Sequence, residues 1–323
     1  MNRRALLGLA IATLAVPSLS AQAQDFPSRP ITIVVGLAPG GITDVSARVY
    51  ADALSKITRQ RVVVENRQGA GGAVGAAAVQ NAAPDGYTVL IFSGSQHVAV
   101  PAMAASAPYD PLKGFASVSL AFNLATLVTV PTDLPAKNLA ELWALGKKKP
   151  GGLSFGSPGV GTPSHMLAAL LGRASNTPMQ FVHYRGGGPM MADLITGRVD
   201  FALSSYTATK GHFQARKLRA LAIDSERRWD VMPDVPTLTE LGYGNAKVAN
   251  WFAVAAPAGT PPAIVKKLNE LFVAASRDPD LVKRLKDNGV QIVTSTPEHM
   301  AKLLSDEWDN TVKLVQMLDL KQK

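Results

Sequence analysis

Apolar positions along this chain switch repeatedly between two periods. Ile31 to Gly36 is a β-branched run ending in a Gly-Pro-rich turn. Thr43 to Ile57 then places Val45, Val49 and Ala53 at four-residue spacing, as on one face of a helix. Arg61 to Glu65 predicts a second strand, the small-residue stretch Gly72 to Ala82 a helix, and Thr88 to Phe92 a third strand. This β-α-β-α-β order predicts an open parallel sheet covered by helices.

The middle repeats the scheme. Asn138, with Glu141 three residues on, resembles a capping box that opens a helix running to Lys149. Leu153 to Phe155 predicts a strand, followed by a glycine- and hydroxyl-rich loop and a helix from His165 to Arg173. Gln180 to His183 predicts another strand, leading into Tyr184-Arg-Gly-Gly-Gly188 and a helix through Ile195. Val199 to Leu203 and Leu218 to Ile223 complete a second sheet. Pro262 to Ser276 is an amphipathic helix, and Thr296-Pro297 caps and opens another.

Two long apolar runs, Val118 to Val130 and Val248 to Ala256, balance one another as crossings between two sheet-based lobes. The expected division is a first, discontinuous lobe of residues 24–124 plus 250–323, with residues 125–249 inserted as the second lobe and a hinge between them.

The N-terminus sets the compartment. Arg3 and Arg4 precede the apolar run Ala5 to Val16, and Ala21-Gln22-Ala23 fits a signal-peptidase site. The run is too short to span a bilayer. Residues 1–23 therefore predict a signal peptide cleaved after Ala23, and a soluble periplasmic product. Arg3-Arg4 before Ala-Leu-Leu also resembles a twin-arginine signal, so the export route stays open. The chain is 47% hydrophobic and 18% charged, which excludes disorder, and it has no cysteine, which excludes disulfides, thiolate nucleophiles and zinc-thiolate sites. The formal charge is +9, and loss of the two leader arginines leaves +7. The basic residues are scattered, without the aromatic interleaving of a stacking platform, so nucleic acid is not an expected partner. A positive field outside the cytoplasm suits small anions entering a cleft.

The strongest chemical feature is a pair of strand-to-helix turns, Ala38-Pro-Gly-Gly-Ile-Thr-Asp44 and Ser157-Pro-Gly-Val-Gly-Thr-Pro-Ser164. Glycine lets backbone approach a ligand, and unpaired N–H groups at a helix start favour anions. Ligands of open parallel sheets bind beyond the carboxyl ends of the strands, where both turns lie. One turn per lobe makes a two-jawed carboxylate site; helix capping alone is the competing account. The candidate ligand-binding residues are Pro39, Gly40, Gly41, Ile42, Thr43 and Asp44 in one turn and Ser157, Gly161, Thr162, Pro163 and Ser164 in the other. Ser93, Ser95, Tyr184, Arg185, Gly186, Ser205 and Tyr206 join them from neighbouring strand ends. Asp44 could meet a ligand amine or simply favour the helix dipole. Arg185 could pair with a carboxylate or lie in solvent, and Tyr184 and Tyr206 could wall the cleft or pack in the core. His97 and His165 stand near ligand loops, with pocket lining and packing both open, and His183 reads as structural. No histidine pair has metal-ligand spacing, so neither a metal nor a cofactor is expected. Gly152-Leu-Ser154-Phe-Gly156 matches the nucleophile-elbow pattern, but Ser154 falls inside a strand, so a serine hydrolase is a remote alternative.

Phe26-Pro-Ser-Arg-Pro-Ile31, the Ala38–Asp44 turn, Glu65-Asn-Arg-Gln-Gly-Ala-Gly-Gly72 and Pro84-Asp-Gly-Tyr-Thr88 together resemble the Bug family, the solute receptors of tripartite tricarboxylate transporters. The likeness continues through Tyr109-Asp-Pro111, Gly156 to Gly161, Tyr184 to Gly188, Pro233-Asp-Val-Pro-Thr237, Trp251-Phe and Ala256-Pro-Ala-Gly-Thr-Pro261. It implies a non-enzymatic, monomeric periplasmic receptor with the two-lobed, type II-like α/β fold, each lobe a mainly parallel sheet flanked by helices that close like a flytrap. It further implies a small organic carboxylate as ligand, held by backbone N–H groups and ordered waters, and membrane permease subunits as partners. Gly40, Gly41, Thr43 and Asp44 would serve one jaw, and Ser157, Gly161, Thr162 and Ser164 the other. Docking on a sensor kinase instead of a permease is the alternative role. Lys113-Gly-Phe115, Arg185 and Ser204-Ser-Tyr206 depart from the family pattern, so the ligand is not transferred from any relative.

Overall fold

A computed structural model describes residues 26–317 except 160, 161, 185, 226, 247 and 249, without the side chains of Ser95 and Gln96. The expected signal peptide thus lies outside the described residues.

The first lobe is built on a sheet of strand order β11-β4-β10-β3-β1-β2, comprising β1 (Ile31–Val35), β2 (Val62–Asn66), β3 (Thr88–Ser93), β4 (Phe115–Leu124), β10 (Trp251–Pro257) and β11 (Val290–Ile292). Ile31, Ile33 and Val35 turn to one core with α1 (Ile42–Thr58), α8 (Pro262–Ala275) and α9 (Pro279–Asp287), while Val34 turns to the other. That second core holds α2 (Ala73–Gln80), α3 (Gly94–Met103) and α10 (Pro297–Met317). Burial on both faces explains why β1 reads as a β-branched run, apolar apart from half-buried Thr32, rather than a clean alternation.

The second lobe has the order β7-β6-β8-β5-β9, from β5 (Thr126–Pro131), β6 (Leu153–Ser157), β7 (Met179–His183), β8 (Phe201–Ser205) and β9 (Leu218–Asp224). It is covered by α4 (Leu139–Lys148), α5 (Pro163–Ser175), α6 (Gly187–Ile195) and α7 (Tyr206–Gln214). The capping box forms: Asn138 Oδ1 accepts from Glu141 N at 2.9 Å, and Glu141 Oε2 accepts from Lys137 N at 2.7 Å, one residue before the cap.

Most strands of each sheet run in one direction, as expected, but both sheets are mixed where the crossing strands enter. β1, β2 and β3 are parallel, as are β6, β7 and β8, but β10 is antiparallel to β3 and β4, and β5 to β8 and β9. The cause is the crossing itself, since a strand entering from the other lobe starts at the end where its neighbours finish. The apolar run Val118–Val130 is accordingly two strands in two sheets, divided at Ala125. At the paired crossing Leu124 N donates to Asn250 O (3.0 Å), and Asn250 Nδ2 donates to Thr126 Oγ1 (2.9 Å) and Asp224 Oδ2 (3.2 Å). Helices also bridge the lobes: Ala99 of α3 and Leu314 of α10 pack on the second lobe's core.

Candidate functional site

Register determines which strand ends gather at the crossing. Trp251 pairs with Asn123 and Phe252 with Ser93, so the carboxyl ends of β3 and β4 meet the crossing. Thr126 pairs with both Ser205 and Asp224, so the carboxyl ends of β8 and β9 meet it too. The turns after β1 and β3 therefore face the same hinge region as those after β6, β7 and β8. Each such turn opens a helix, whose first N–H groups lack intrahelical acceptors.

In the first jaw, Ala38 to Gly41 is exposed and Gly41 starts α1 without a side-chain cap. Gly40 adopts φ +81°, a conformation that suits glycine, and a Cβ there would meet nothing within 4 Å. Asp44 is only 3% exposed. Its carboxylate accepts from Gly40 N (2.9 Å), Arg48 Nε (3.1 Å) and Asn66 Nδ2 (3.0 Å). Burial alone would raise its pKa, but the hydrogen bonds from Arg48, Gly40 and Asn66 outweigh it and hold the carboxyl below its ordinary value. Asp44 thus clasps the turn on which it sits, and the Gly40 N–H is engaged within that clasp. Pro39, Gly41 and Ile42 stay on the rim. Thr43 and Ser93 come together in a cavity of about 20 Å³ beneath the jaw, with Gly36 and His97 in its walls. His97 is a buried core residue there, its Nε2 3.1 Å from Pro111 O and its ring stacked on Tyr109. Ser95 lies in the first turn of α3.

The second jaw is knitted from two loops. Tyr184 N donates to Ser157 O (2.8 Å) and Gly186 N to Pro158 O (3.0 Å), pinning the β7–α6 turn to the β6–α5 turn. Ser157 is fully buried, and its Oγ donates to Gly159 O (2.8 Å). Thr162 caps α5 by accepting from His165 N, and Pro163 occupies the first helical turn. Ser164 and Ser205, far apart in sequence, line one hollow of about 480 Å³ with Pro158, Gly187, Gly188 and Ser204. Met190, Met191, Leu203 and Ala208 complete it. Of these, Gly187 and Gly188 sat within a recognisable glycine run, whereas nothing in the sequence marked the two methionines. Gly161 and Arg185 lie outside the described residues.

Other candidates have definite structural roles. Tyr184 Oη donates to Asp193 Oδ2 (2.7 Å), and burial followed by that carboxylate pushes its pKa up to about 12. Tyr206 packs on Trp229 and against Gly289 of the first lobe. The His165 ring packs on Phe181 and His183, and burial, then the His183 charge, lowers its pKa. The hydrolase alternative fails on Ser154: its Oγ donates to Asp200 Oδ2 (2.8 Å), which also accepts from Ser154 N and Lys149 Nζ. That network ties β6 to the start of β8. Among the described residues no cluster of three or more His, Asp or Glu could hold a metal, and no helix is long and apolar enough to cross a membrane.

The family model described as "Tripartite tricarboxylate transporter family receptor" matches residues 46–320. BugT of Bordetella pertussis is 35% identical over 96% of this chain and 96% of its own. Among solved structures, MatC of Rhodopseudomonas palustris with bound malate superposes with TM-score 0.72 at 32% identity, covering 90% of this chain and 100% of its own. Rpa4515 of R. palustris with adipate gives TM-score 0.76 at 30% identity, over 90% of this chain and 98% of its own.

Proposed function

Since the chain belongs to the tripartite tricarboxylate transporter receptor family, which includes the Bug proteins, we propose that it captures a small organic carboxylate between its lobes and delivers it to the permease subunits of such a transporter. It is a substrate-binding protein, not an enzyme. The observation that carries the proposal is the convergence, at one hinge, of five strand-to-helix turns from two sheets.

The lobes are residues 24–124 with 250–323, and residues 125–249, bending at Ala125 and Asn250. Closure brings the rim of the first jaw over the hydroxyls of Ser164 and Ser205. The ligand carboxylate is held there by helix-start N–H groups of α1, α5 and α6 and by ordered waters. Binding energy gained only in the closed state shifts the open–closed equilibrium. Malate and adipate, bound in structures of two relatives, support a small organic carboxylate as the class of cargo without naming which one. The mature monomer starts at Gln24 in the periplasm, after cleavage behind Ala23.

A thermal-shift screen of the mature protein, stripped of ligand by unfolding and refolding, tests this reading. At a hundredfold excess over Kd, a ligand binding only the folded state adds about 2.7 kcal/mol and raises the midpoint by on the order of 5 °C. A shift with one carboxylate class and none with the matching amide is the expected result. Refolded protein that responds to no aliphatic, aromatic or amino-acid carboxylate would overturn it.

A further inference from the structure

Sheet edges expose backbone donors and acceptors, and proteins ordinarily guard them with charge, shortness or cover. Three of the four edges here are guarded. Strand β11 has only three residues, and β2 carries Glu65, ion-paired with Arg67. The following loop covers β9, where Ile223 N donates to Pro236 O and Leu238 N to Ile223 O. Strand β7 has no such guard: Met179-Gln-Phe-Val-His183 holds no proline, lysine or carboxylate, and Gln180, Val182 and His183 are exposed.

The pairing with β6 shows which groups are free. Leu153 N donates to Pro178 O (3.0 Å) and Tyr184 N to Ser157 O (2.8 Å), so the even-numbered residues of β7 face β6. The N–H and C=O groups of Met179, Phe181 and His183 point outward, without partners among the described residues. A groove of about 670 Å³ runs beside this edge, lined by Met179 and Phe181, by Gly172 and Arg173 of α5 and by Lys147 of α4. Lys149 pairs with Asp200, whereas Lys147 and Arg173, both exposed, meet no carboxylate among the described residues. The sequence has no Asp or Glu between Glu141 and Asp193, the stretch that builds this face.

We propose that the β7 edge docks an extended acidic segment of a partner protein, which joins the second sheet as a further strand. Outward groups at alternate residues match the spacing of another strand's backbone. Lys147 and Arg173 meet carboxylates on the side chains that face the groove. The opposite face, where Val182 is 38% exposed, takes apolar side chains. A second copy of this chain does not suit the edge, because pairing two β7 strands would crowd the cations of both copies together. The groove lies along the amino-terminal half of β7, whereas the cleft loop follows its carboxyl end, so docking leaves the cleft free to hold cargo. The proposal stands independently of which cargo the cleft takes.

The probe is an eight-residue peptide of alternating Glu and Val, with its Lys and Val counterpart as control. Each is titrated into the refolded, isotope-labelled mature protein at constant ionic strength, and amide exchange is followed by nuclear magnetic resonance. The acidic peptide is expected to bind saturably and to slow exchange at Met179, Phe181 and His183 by about tenfold or more, leaving Gln180 and Val182, already bonded to β6, unchanged. Lys147→Gln combined with Arg173→Gln, both at exposed positions, is expected to weaken binding roughly fivefold, the scale of two screened ion pairs. His183→Pro, which removes one outward donor and spares the bonds to β6, is expected to weaken it by about as much. Should that variant fail to fold, the paired charge variant carries the test alone. Absence of saturable binding, equal binding of the basic peptide, protection without the alternation, or undiminished affinity in the charge variant would overturn the proposal. Self-association protecting the same three amides would overturn it too, by assigning the edge to a second copy.

Discussion

Acid should weaken this protein through one ring. His97 is 3% exposed, held among Phe92, Tyr109 and Phe115 with ring centroids 4.3, 5.1 and 5.0 Å away. Its Nε2 faces Pro111 O at 3.1 Å, and since a carbonyl can only accept, the single proton sits on Nε2. Burial lowers the pKa from 6.5 to about 4, the hydrogen bond to Pro111 opposing it only in part. An unfolded chain takes up a proton near pH 6.5, whereas the folded ring resists until about pH 4. The stability is therefore complete above pH 6.5 and falls as the pH drops towards 4. The gap amounts to about 3 kcal/mol. His97→Gln is the informative perturbation, because the amide can still donate to Pro111 O but does not titrate. Urea unfolding at pH 7.5 and pH 4.0 should show the parent losing about 3 kcal/mol more than the variant. Carboxylates elsewhere contribute equally to both proteins and cancel. Equal losses would refute the reasoning.

Three further outcomes follow from the jaws and the sheet. Gly40→Val has room for its side chain but must hold φ +81°, costing about 1–2 kcal/mol; carboxylate binding should be lost while circular dichroism stays native. Unchanged calorimetric affinity would remove Gly40 from the rim. Asp44→Asn weakens the clasp on Gly40, Arg48 and Asn66 and should cost about 2 kcal/mol in urea at pH 7. Since the Asp44 pKa is lowered on folding, that difference should shrink as the pH falls below about 4 and through the folded value, and a difference constant down to pH 2 would contradict it. Ser154→Ala removes a donor from buried Asp200 and should lower stability by about 1–2 kcal/mol, while neither parent nor variant should turn over an activated ester, because that hydroxyl is structural. Ester turnover lost in the variant would contradict that role.

Much of the architecture was legible because buried parallel strands and amphipathic helices leave different periods, and caps such as Asn138 and Thr296 mark helix starts. The reversed direction of the crossing strands was not legible. A continuous apolar run from Val118 to Val130 carries no mark of the point, Ala125, at which the chain changes sheets, since it is buried on both sides of that point. Helix α3 leaves no local signal, because it starts at Gly94 and contains Pro101, both poor helix formers that the tertiary setting overrides. At the site, glycine and hydroxyl content exposed both jaw turns. The engagement of Asp44 depends on Asn66, 22 residues away, and the meeting of Ser164 with Ser205 depends on β6 and β8 being neighbours. Such contacts belong to topology, which local pattern does not encode.

The central claim is closure upon a carboxylate, and a distance measures it most directly. The chain has no cysteine, so Gln68→Cys in the first lobe and Ala192→Cys in the second provide two unique spin-label sites, both exposed. Pulsed electron resonance on the refolded, doubly labelled protein, with and without the carboxylate selected by the thermal screen, gives the lobe separation. A shortened, narrowed distance distribution that saturates with the calorimetric Kd is the predicted result. Saturable carboxylate binding with an unchanged distribution would contradict the account.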